Sequence, residues 1–110
     1  MFAIAIRTAI TETPMTIGIV ATLKIKPGKE QEFEAVFQEL QAQVKKNEPG
    51  ALQYELFKSK ANASTYVVME QYKSDADLAA HRTTPHMAAA GPKLGAVLDG
   101  RPAIELLDKL

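Results

Sequence analysis

The stretch from Glu48 to Met87 limits what this chain can fold into more than any other, because two runs of period-2 alternation follow one another within it. In Ala51–Ser59, Leu52, Tyr54 and Leu56 share one face, and Gln53, Glu55 and Phe57 share the other. In Thr65–Tyr72, Tyr66, Val68, Glu70 and Tyr72 alternate with Thr65, Val67, Met69 and Gln71. Successive side chains of a strand point to opposite faces, so each run predicts a strand. The polar segment Lys60–Ser64 between them predicts a hairpin loop. Asn47-Glu48-Pro49-Gly50 predicts the turn that precedes the pair. Pro49 disfavours helix at Glu48, and Gly50 is expected to supply an unusual backbone angle. After the pair, Ser74 with Asp77 three residues on predicts a capped helix start.

The flanking segments complete the pattern. In Ile17–Ile25 the odd positions Ile17, Ile19, Ala21, Leu23 and Ile25 make one apolar face, and Pro27-Gly28 ends the strand. From about Lys29 to Lys46, Phe33, Val36, Phe37, Leu40 and Val44 fall on one helical stripe. Glu30 and Glu32 at its start and Lys45 and Lys46 at its end complement the helix dipole. That helix, about 27 Å long at ~1.5 Å per residue, matches a strand of about 30 Å at ~3.3 Å per residue. The second helix carries Leu78, Ala79, Ala80 and His81, breaks at Thr84-Pro85 and restarts at Pro85. Gly91-Pro92 is expected to interrupt it again, and Arg101–Leu107 predicts a last strand. The order β-α-β-β-α-β is the α+β, ferredoxin-like split βαβ arrangement. Two helices cover one face of such a sheet. Both faces of strands one and three carry apolar residues, so the uncovered face is expected to meet a second copy in a homodimer.

A chain of 110 residues suits one domain. Basic and acidic residues number 13 each, so no electrostatic footing for nucleic acid exists. With no Cys there is no thiol chemistry or thiolate metal site, a composition that suits the cytoplasm. The N-terminal apolar run is short and interrupted by Arg7, unlike a secretory signal or a membrane span. Two readings fit residues 1–15: an extension outside the domain at 16–110, or an extra edge strand over Phe2–Ile10, where Phe2, Ile4 and Ile6 alternate with alanines.

Several side chains can carry chemistry. His81 and His86 are the candidate bases, imidazole being the side chain suited to proton transfer at neutral pH, although on one continuous helix they would stand about 140° apart. They lack the spacing of a zinc pair, so no metal is expected. Tyr66, Glu70 and Tyr72 share a strand face that Tyr54 can join. Ordinary cross-strand packing accounts for tyrosines there. An acid between Val68 and Tyr72 must instead be hydrogen-bonded or edge a cavity. Ala88–Ala90 and Gly91 leave room beside the aromatics, and Arg82 and Arg101 can fix an anion. No nucleophile elbow, phosphate loop or dinucleotide fingerprint is present.

Glu48-Pro49-Gly50 followed by Tyr54, then Glu70-x-aromatic, then His81 and Thr84-Pro85-His86, resembles the antibiotic biosynthesis monooxygenase domain family from about Thr16 to Leu107. The resemblance implies a dimeric ferredoxin-like α+β barrel. It implies oxidation of a small phenolic, quinol or anthrone-like substrate by O₂ without metal, flavin or haem. His81, His86 and Tyr72 would then be catalytic, with Tyr54, Tyr66, Glu70 and Arg82 binding substrate. Tyr72 stands where the family commonly has Trp, and Ile17–Ile25 lacks the Asn of haem-degrading relatives. A non-catalytic ligand-binding or stress-related dimer, or an isomerase of a small sugar-derived signal, are the alternatives the resemblance leaves open.

Overall fold

The structure, a computed structural model, describes residues 15–110. Both readings of the N-terminal segment before Met15 lie outside the described residues. The elements are β1 (Ile17–Lys24), α1 (Glu30–Asn47), β2 (Ala51–Lys58), β3 (Thr65–Tyr72), α2 (Asp75–Arg82), α3 (Pro85–Val97) and β4 (Ala103–Asp108). The strands form one antiparallel sheet in the order β2-β3-β1-β4. This is the ferredoxin-like arrangement, with its second helix divided in two.

Register explains which side chains meet. Ile17, Ile19, Ala21 and Leu23 stand opposite Tyr72, Glu70, Val68 and Tyr66, while Tyr54 and Leu56 stand opposite Glu70 and Val68. Residues directly opposite one another share a face. This face therefore carries the alternating apolar set of β1 together with all three tyrosines. α1 lies over it and buries Phe33, Phe37, Leu40 and Val44, the predicted stripe apart from Val36, which is half-buried. Each such burial contributes roughly 1.5–3 kcal/mol. Leu78, Ala90 and Val97 from α2 and α3 complete the core.

Three local expectations are corrected. Leu52 does not share the face of Tyr54: a β-bulge between Ala51 and Gln53 breaks the alternation, and Leu52 is 52% exposed while Ala51 packs on the core. Gly50 does not adopt a left-handed angle, since only Gly28 and Gly100 have positive φ among the described residues. It is glycine because a Cβ there would collide with the side chain of Asp77. Gly91-Pro92 does not interrupt α3, which runs through Pro92. The carbonyl of Ala88, which Pro92 cannot serve, lies on an exposed stretch where water can replace the missing donor.

Candidate functional site

Glu48 sits where three elements converge. Its N–H closes the last turn of α1 on the carbonyl of Val44 at 2.9 Å, and its own carbonyl accepts from the N–H of Ala51 at 3.0 Å. Two residues on, the carbonyl of Gly50 accepts from the N–H of Lys73 at 2.9 Å, which pins the turn against the chain entering α2. Ser74 caps that helix, its Oγ accepting from the N–H of Asp77 at 3.2 Å. The close contact at Gly50 and this cap hold the start of α2 against the turn. The carboxylate of Glu48 then points inward, beneath α2 and α3.

The break between the helices delivers the histidines. Thr83 ends α2, and Thr84 caps α3 by accepting from the N–H of Met87 at 3.3 Å. The Thr84 hydroxyl also donates to the carbonyl of His81 at 3.0 Å, tying the two helices together. Pro85 occupies the start of α3, as expected. The chain turns here, so His81 and His86 are not the divergent pair that one straight helix would give. His81 Nδ1 lies 2.8 Å from Glu48 Oε1, and His86 Nε2 is hydrogen-bonded to Glu48 Oε2. An ionised carboxylate only accepts hydrogen bonds, so both ring nitrogens present N–H to it. Each ring nitrogen faces a different oxygen, an arrangement of hydrogen bonds rather than of ligands around one point. Among the described residues no cluster is arranged to hold a metal ion.

Aromatic rings wall the cluster. The Tyr54 and Tyr72 rings lie 5.3 and 5.1 Å from the His81 ring, and Phe37 stacks on Tyr54 at 5.2 Å. The Tyr72 hydroxyl donates to Glu70 Oε1 at 2.6 Å, which answers how that acid is accommodated on an apolar face. Burial is the main reason that the Glu70 carboxyl is held above the usual carboxylate range, with the Tyr72 hydrogen bond and the charges of His81 and Arg82 opposing it. Burial, followed by nearby acid charge, also pushes the Tyr54 and Tyr72 hydroxyls far above the ordinary phenol value. These tyrosines are therefore neutral donors, not bases.

Of the seven residues singled out from the sequence, the structure brings His81, His86, Tyr54, Tyr72 and Glu70 into one cluster. Arg82 is exposed at the end of α2. Tyr66 stands apart: its hydroxyl donates to Glu34, and its ring packs on Phe33 near the far end of β3. It lines a separate surface cavity of about 300 Å³ between α1 and β2. Glu48 is the member that residue-by-residue reasoning passed over as part of a turn. One signal was present: an acid two residues after Lys46, at the C-terminal end of a helix, sits at the wrong end of the helix dipole and needs another reason to be there. On the outer side, His86 lines a small open cleft of about 60 Å³ between α1 and α3, with Val36, Leu40 and Ala90. Of the small residues expected to leave room beside the aromatics, Ala89 and Ala90 line this cleft, but no Tyr or Phe ring does; Glu39, Gln43 and Lys93 complete its wall.

Comparison with known proteins agrees with the fold. The family model described as antibiotic biosynthesis monooxygenase matches residues 16–93. The Bacillus subtilis protein named "Putative monooxygenase YcnE" is 36% identical over 70 residues, covering 64% of this chain and 73% of that protein. A Caulobacter crescentus crystal structure, of "a putative antibiotic biosynthesis monooxygenase", superposes with a TM-score of 0.86 at 46% identity, covering 89% of this chain and 92% of that one. A conserved protein from Methanosarcina mazei superposes with a TM-score of 0.81 at 25% identity, covering 92% of this chain and 99% of that one.

Proposed function

The chain belongs to the antibiotic biosynthesis monooxygenase family, and on that premise we propose that it oxidises a small phenolic, quinol or anthrone-like substrate directly with O₂. The observation that carries the proposal is the carboxylate of Glu48 held between two imidazoles, one of them packed against the rings of Tyr54 and Tyr72. A histidine backed by a carboxylate is a general base whose tautomer is set and whose protonated form is stabilised. Deprotonating a phenol or an acidic ring C–H yields an electron-rich anion that reacts with O₂ itself. The protein's part is to orient the substrate, take the proton and limit water. The cleft at His86 is too small to enclose a fused-ring substrate, so only the reacting edge enters it and the remaining rings lie along the groove between α1 and α3. Tyr54, buried between the rings of Phe37 and His81, walls the cluster rather than the cleft, and the Tyr72 proton is committed to Glu70.

The test is an oxygen-electrode assay on protein stripped of metal and flavin, with a panel of quinols and anthrones. Wild type is expected to consume O₂, and Glu48→Gln to lose about 10²-fold or more, the lower range for removing general-base catalysis. Circular dichroism controls for folding. A wild type inactive across the panel rejects the proposal in favour of a non-catalytic ligand-binding domain using the same cleft.

A further inference from the structure

Building on the monooxygenase reading above, we infer that the two histidines have different tasks: His86 takes the substrate proton, and His81 is a positioning residue that holds Glu48 in place. Their surroundings differ. His86 lines the cleft, and its side chain is 12% exposed. The His81 side chain is 5% exposed, packed against the rings of Tyr54 and Tyr72, and does not line that cleft. A substrate edge entering from solvent reaches His86 and not His81.

Their bonding differs in the same sense. His86 uses Nε2 to donate to Glu48, which leaves the Nδ1 lone pair to accept a proton. In the step, the substrate O–H or acidic C–H bond breaks, the proton goes to His86 Nδ1, and the electron pair stays on the substrate as phenolate or enolate. His86 becomes an imidazolium facing the Glu48 carboxylate, which stabilises it without taking the proton. His81 donates from Nδ1 to the other carboxylate oxygen at 2.8 Å and fixes the rotation of the carboxylate. Glu48 can then present its second oxygen to His86 in one orientation. The sequence itself provides the means: the helix break at Thr83-Thr84 lets one ring lie sealed and the other open while both reach a single carboxylate.

The experiment uses replacements that separate donor from base. Gln at 86 keeps an amide N–H near the place of Nε2 but has no basic nitrogen. Asn at 81 keeps an N–H near the place of Nδ1. His86→Ala and His86→Gln should both lose about 10²–10⁴-fold in oxygen uptake, the usual range for a lost general base. His81→Ala should fall less far, and His81→Asn should recover most of that loss. Nitrogen-15 NMR of histidine-labelled wild type should show the proton on Nε2 of His86 and on Nδ1 of His81. A third measurement removes O₂ chemistry: under nitrogen, a nitrophenol probe should show phenolate absorbance with wild type and His81→Asn at a pH where the free probe is protonated, and not with His86→Gln. His86→Gln matching wild type, His81→Asn failing to recover, or a His86 proton on Nδ1 each overturns the assignment. If wild type consumes no O₂ but the phenolate pattern holds, the monooxygenase reading falls and the division of tasks stands. If the wild type forms no phenolate, or forms it equally without His86, the division of tasks falls.

Discussion

Glu70 shows how one buried acid makes stability depend on pH. Its folded-state carboxyl is raised chiefly by burial, while an unfolded glutamate titrates near ~4.3. A raised pKa contributes stability that is fully present below the unfolded value and is lost as pH rises through the folded one. Replacing it by Gln keeps an oxygen for the Tyr72 hydroxyl and removes the ionisation. Glu70→Gln should therefore gain stability relative to wild type as pH rises from ~4 toward neutral, read by urea unfolding at several pH values. An unchanged difference across that range would mean that Glu70 ionises as freely folded as unfolded. Tyr72 has the same sign at the other end of the scale. Its phenol is raised by burial first and by Glu70 second, so its contribution holds below ~10, the unfolded phenol value, and is lost above it. Tyr72→Phe should flatten the alkaline loss.

Among the elements, the join between the turn and α2 and the course of α3 have opposite tolerances. At Gly50 the limit is space, because Asp77 fills the position of a Cβ. Gly50→Ala should cost about 1–3 kcal/mol through overpacking, and should disturb Glu48 two residues away. At Pro92 the limit is a missing donor in an exposed helical stretch, with nothing gained in return that the structure shows. Pro92→Ala should stabilise α3 by up to about 3 kcal/mol, the helix-interior penalty of proline. Thermal unfolding of the two variants distinguishes the cases: Gly50→Ala lowers Tm and Pro92→Ala raises it. A stabilised Gly50→Ala would show that the turn relaxes away from Asp77 at no cost.

At the scale of the molecule, the helices leave much apolar sheet uncovered. Phe57, Met69 and Leu107 are exposed on the face opposite the helices, next to half-buried Val20 and Val67. On β4 even the helix side is open, with Ile104 and Leu106 exposed opposite Ala21 and Ile19. A second copy on this surface is the partner we propose, since a small domain gains most from symmetric burial of such a patch. Sedimentation at micromolar concentration should give a dimer for wild type and a monomer for the double variant Phe57→Lys, Met69→Lys. A monomeric wild type would remove the proposal.

Alternation, helical stripes and turn residues are properties of neighbouring positions, so the strands, the first helix, the cap at Ser74 and the restart at Pro85 were legible in the chain alone. So were the shared strand face of Glu70 and Tyr72, which Tyr54 could join, and the choice of the chain's two histidines; these five side chains do cluster, and the cluster is the site we propose. What the tertiary structure decided involves partners distant in sequence. Only packing against Asp77 explains Gly50, and only the bulge turns Leu52 outward. Tyr66 keeps the same parity as Tyr72 yet sits at the other end of the strand, against Glu34, because parity states a face and not a distance along it. Glu48 meets His81 and His86 across 33 and 38 positions of chain, and the direction of both rings depends on how far the chain turns at Thr83-Thr84. Local propensity encodes that a helix stops there; the angle at which the next one leaves comes from the core that α1, α2 and α3 bury together.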